Sequence, residues 1–72
     1  MQRIHLLLGD DDGPYIRIVL ETLDAQGGIE ESESLEWYGV EDISSAIDDA
    51  WNEARNRGLQ LLIDHDIINL PG

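Results

Sequence analysis

The chain has no cysteine, so neither a disulfide framework nor a thiolate metal site can staple it. Lysine and phenylalanine are absent too, and the four basic residues are all arginine. Sixteen acidic residues stand against them, for a formal net charge of −12. A surface this short of cations cannot displace counterions from phosphate, which argues against direct nucleic-acid binding and equally against an anionic membrane. No apolar run approaches the ~20 residues that span a bilayer. Ile4 to Leu8 is too short for a secretory h-region and is interrupted by His5, so the expected location is the cytoplasm.

At 72 residues the chain is expected to form a single small acidic domain over 1–72. A chain of this size buries only roughly 60% of its unfolded surface. Stability must then come from one apolar layer or from a partner subunit, and a homodimer is compatible with that.

The most regular stretch is Gly39 to Gly58. Ile43, Ala46, Ile47, Ala50, Trp51 and Ala54 recur at helical spacing and predict an amphipathic helix. Asp42 is placed to cap its start. Arg55 and Arg57 complement its negative end, and Gly58 occupies the stop position. Trp51 reads as core within this stripe, and the outer face carries Asp48, Asp49, Asn52, Glu53 and Asn56.

Residues 2–8 alternate as a strand, with Ile4, Leu6 and Leu8 on one face. Gly9 to Pro14 reads as a turn. Residues 15–23 fit a strand, with Ile16, Ile18 and Leu20 inward and Arg17 and Glu21 outward. They also fit a helix beginning at Pro14 and stopped by Gly27, which would give βαβαβ with 15–26 helical. The strand is preferred because the helix leaves Ile18 on its polar side. Residues 24–33 read as a polar connection, 34–40 as a short strand, and 59–64 as a central strand. Ile67, Ile68 and Leu70 would pack back on the sheet. The expected fold is α+β: a three- to four-stranded sheet, hairpin first, with one main helix on one face.

Candidate chemistry is sparse. Asp10, Asp11 and Asp12 with Asp64, His65 and Asp66 offer oxygen ligands, but the triplet lacks the alternation of a calcium-binding loop, so no metal and no cofactor is expected. His5 and His65 are the only histidines, and without Cys or Lys there is no ready nucleophile. The serines lie where capping and solvation account for them. No enzyme is expected.

The acidic surface is the stronger candidate. Glu41, Asp42, Asp48, Asp49 and Glu53, extended by Glu30, Glu31, Glu33 and Glu36 and by the Asp10–Asp12 turn, could imitate the phosphates of duplex DNA, about one charge per 1.7 Å of axis. Trp37 and Tyr38 could anchor the contact. The partner would be a basic nucleic-acid-binding protein or complex, with the long-range field speeding the encounter. The competing explanation is salt adaptation, since cytoplasmic proteins of extreme halophiles share this composition.

In size, charge and lack of cysteine the whole chain resembles phage-encoded anti-defence proteins, the anti-CRISPR and anti-restriction DNA mimics. That resemblance implies inhibition of a basic nucleic-acid-handling complex in the host-cell cytoplasm. GDDDGPYIRIV followed by GVEDISSAIDDAWNEA is similar to the hairpin and helix of HicB-type antitoxins, which implies neutralisation of a small basic RNase toxin. HLLLGDDD, IRIVLETLDAQGG and LLIDHDIINLPG resemble the first half of a response-regulator receiver domain. There Asp11 and Asp12 would form an acidic pocket and Asp64 would accept a phosphoryl group with Mg²⁺.

Overall fold

The computed structural model describes residues 1–9 and 14–68. Three strands come first: β1 (Gln2–Gly9), β2 (Tyr15–Leu23) and β3 (Ile29–Gly39). A 3₁₀ turn over Val40–Asp42 leads into helix α1 (Ile43–Arg57), followed by β4 (Gln60–Ile63) and the short helix α2 (His65–Ile68). The sheet order is β3-β2-β1-β4, with β1/β2 and β2/β3 antiparallel and β1/β4 parallel. This is the α+β, hairpin-first fold expected, and residues 15–23 form a strand rather than a helix. Because β2 pairs antiparallel with β1 along its whole length, the βαβ opening implied by the receiver resemblance is not present.

The pleat sorts the hairpin into two faces. Ile4, Leu6, Ile16 and Ile18 are buried toward α1, joined by Ala46, Ala50, Ala54 and Ile67. The three alanines sit at successive i+4 positions and let the helix backbone come close to the sheet. Gly58, at φ +65°, ends the helix: its amide and that of Leu59 close back on Arg55 and Ala54 as a Schellman motif. Asp42 holds the N-cap position, but its side chain makes no capping bond, because the preceding 3₁₀ turn already feeds the chain into the helix.

Four expectations are corrected. β3 begins at Ile29, so all of 29–33 is edge strand and not loop. Its Glu/Ser sequence hides this, because an exposed edge needs no apolar alternation and charge there discourages unwanted strand pairing. Residues 60–63 form the opposite edge, not a central strand, and Leu62 is left 41% exposed. Trp51 is 54% exposed. At about 100° per residue it stands roughly 100° around the helix from Ala50, at the margin of the buried ridge. In the tail, Ile67 is buried while Ile68 is exposed, and Leu70 lies outside the described residues.

On the face away from α1, Glu21 is only 3% exposed although it points outward. Arg3 Nε donates to its Oε1 at 2.7 Å, and His5 Nδ1 lies 3.0 Å from Oε2. Burial pushes the Glu21 carboxyl up, but the hydrogen bonds and charges of His5 and Arg3 outweigh it and hold the group below its ordinary 4.5. A lowered folded value means that the ion pair stabilises the fold above pH 4.5 and that this contribution is lost as pH falls through the lower folded value. Glu21→Gln is expected to cost about 2 kcal/mol near neutral pH. Urea melts should show the gap between wild type and variant closing in acid; a pH-independent gap would mean that the charge of Glu21 is not what stabilises.

Candidate acidic surface

β3 and α1 build the acidic surface together. In the β2/β3 register Glu31, Glu33 and Glu36 pair with Thr22, Leu20 and Ile18, positions on the helix side of the sheet. Bulges at Leu35 and Glu30 interrupt this register, and the second leaves Glu30 as the unpaired, exposed residue. On α1, Asp49 and Glu53 lie one turn apart on the flank that faces β3. The two elements meet at Tyr38, whose hydroxyl donates to Asp49 Oδ2 at 2.6 Å. Burial, the bond to Asp49 and the charges of Asp49, Glu36 and Glu53 push the Tyr38 hydroxyl well above its ordinary range, so it keeps its proton and remains the donor.

Around this bond Glu36, Asp49, Asn52 and Glu53 line a shallow cleft of about 180 Å³ floored by Ile18 and Leu35. A second depression, of about 290 Å³, lies at the sheet corner between Leu20, Thr22, Glu31 and Glu33. It exists because α1 leaves one edge strand and arrives beside the other, crossing the sheet obliquely and leaving this corner uncovered. Both hollows have mixed acidic and apolar walls, a lining suited to the stem and charged head of an incoming arginine or lysine.

Not every candidate joins this surface. Glu53 already pairs with Arg57 Nε at 2.8 Å, an exposed i, i+4 bridge that is weak and exchangeable. Glu41 and Asp42 extend the surface at the start of α1, and Asp48 stands on its outer crest. Asp10, Asp11 and Asp12 lie outside the described residues. Trp37 is 55% exposed but pairs with Arg17 on the opposite face of the sheet, so it does not accompany the carboxylates. Among the described residues no three histidine or carboxylate side chains converge as a metal site.

The opposite face is the feature that linear reading missed. Arg3, His5 and Arg17 all lie there, and Glu21 is the carboxylate that Arg3 and His5 hold. The Arg17 guanidinium sits 5.5 Å from the Trp37 ring centroid, and Tyr15 packs on Trp37 at 5.1 Å. The Tyr15 ring fills the space that a side chain at Gly9 would occupy. The hairpin register itself carries this signal: partners across β1/β2 are those whose numbers add to a constant, which sets Arg3 opposite Glu21.

Compared with known proteins, the chain matches no family model, no curated protein and no solved structure.

Proposed function

We propose that this protein is a non-enzymatic inhibitor that binds a basic, nucleic-acid-handling protein through the acidic flank formed by β3 and α1. The observation that carries this reading is the segregation of charge. Glu31, Glu33, Glu36, Asp49 and Glu53 share one flank, with Arg57 bridged to Glu53, while two of the four arginines, Arg3 and Arg17, occupy the far face of the sheet. Acidity serving hydration alone has no need of such sorting; a surface that imitates phosphates does. The flank extends along an edge strand of 11 residues, roughly 35 Å at 3.3 Å per residue. A second reading within the same class, the neutralisation of a small basic RNase toxin, is favoured by the order of elements. A hairpin followed by an alanine-spaced helix packed on the sheet is what the resemblance to HicB-type antitoxins implies.

The test is competitive. The immobilised protein should retain a basic partner at low ionic strength, release it as salt shortens the Debye length below about 10 Å, and prevent that partner from binding its nucleic acid. A retained partner that binds protein and nucleic acid simultaneously would remove the mimic reading.

A further inference from the structure

We infer that the face of the sheet away from α1 is a self-association surface on which a second copy of this chain stacks about a two-fold axis. The proposal uses the face opposite the acidic flank and stands independently of what that flank binds. Four observations carry it. The face is aromatic and aliphatic, with Tyr15, Trp37, Leu7, Ile29 and Leu62 on it, of which Trp37, Ile29 and Leu62 are 55%, 57% and 41% exposed. Tryptophan, tyrosine and arginine brought together in this way are the composition of an interface core.

The second observation is electrostatic. In a chain of net charge −12, this is the face where, among the paired positions of the described residues, the one carboxylate is Glu21, already held by Arg3 and His5. It is thus the surface on which two such chains meet without pressing free carboxylates together. A basic partner is drawn instead to the opposite flank, and nucleic acid or an anionic membrane is repelled by the whole molecule.

The third is complementarity between copies. A two-fold axis running across the strands through Val19 lays Arg17 of each copy over the internally paired Arg3–Glu21–His5 cluster of the other, since Arg17 and Glu21 lie two positions either side of Val19. It also brings Leu62 of the two copies together, because Leu62 pairs with His5 and His5 pairs with Val19. The fourth is size. Four strands about 4.8 Å apart and about eight residues long present a face of roughly 500 Å² in projection. That projected area is over half of the roughly 800 Å² per partner of a standard interface.

Sedimentation equilibrium across micromolar concentrations, in ~1 M KCl to screen the repulsion between two anionic chains, should give twice the chain mass. The two tryptophans report which face is covered. In Trp51→Phe the remaining Trp37 emission should shift to the blue as concentration rises, whereas in Trp37→Phe the Trp51 emission should stay constant. Trp37→Glu and Leu62→Glu change exposed positions, so folding is retained by circular dichroism, and each should weaken dimerisation by about 30-fold or more. A single-chain mass at every concentration, a shift reported by Trp51 instead of Trp37, or a dimer indifferent to both glutamates would each overturn the proposal.

Discussion

Reversing the charge of Glu33 and Glu36 together is expected to weaken binding of a basic partner by about 100-fold, or nearly 3 kcal/mol. Both side chains are exposed or line the cleft beside Tyr38, and neither is needed by the core. The substitution Glu→Lys therefore acts on the encounter and the contact, with the fold left intact. Each reversal removes an attraction and introduces a repulsion in a region of strong field, so the loss exceeds that of neutralisation to Gln. Part of it should appear as a slower association rate, most pronounced at low salt. Trp37→Ala is the matched control: it lies on the opposite face and should leave the affinity within a few-fold of wild type. Equal losses from the double reversal and from Trp37→Ala would show that the partner uses the sheet face, and the acidic flank would then be solvation alone.

How much of this was legible in the sequence depended on whether a residue's role was local. The helix was legible because the recurrence of Ile43, Ala46, Ala50 and Ala54 and the stop at Gly58 are properties of consecutive residues. The β1/β2 hairpin was legible less completely: Ile4, Leu6 and Leu8 alternate on β1, but the apolar run Ile18-Val19-Leu20 let 15–23 fit a helix as well, and the strand was favoured by the place of Ile18 alone. β3 was not, because an edge strand exposed over most of its length needs no apolar period, and its bulges break the alternation that would reveal it. The acidic residues were easily named, but their grouping was not. That Glu31, Glu33 and Glu36 share a flank with Asp49 and Glu53, while Trp37 turns away, follows from the β2/β3 register and from the oblique crossing of α1. Glu21 shows the same limit. Its outward direction was read correctly, while its burial depends on two side chains sixteen and eighteen positions away.

Two opposite changes of volume in the core should both be strongly destabilising, and the pair tests the packing better than either alone. Leu6 lies on β1 with no exposed surface, and Ala50 faces the same core from α1, also fully buried. Leu6→Ala removes about three methylene-sized groups from a layer with few large side chains to close the gap. It is expected to cost about 3 kcal/mol, which for a domain this small lowers the melting temperature by roughly 12–24 °C. Ala50→Leu adds the same groups at a fully buried position on the helix face that packs against the sheet. It should cost about 1–3 kcal/mol through forced separation, despite leucine's favourable hydrophobicity and good helix propensity. The sign for Ala50→Leu is the informative one. A thermal melt in which that variant equals or exceeds wild type would mean that the alanine ridge does not set the helix-to-sheet distance. A loss in both shows that the thin core is already filled, and that further stability must come from a surface outside it, which is the condition that makes the uncovered face of the sheet worth covering with a second copy.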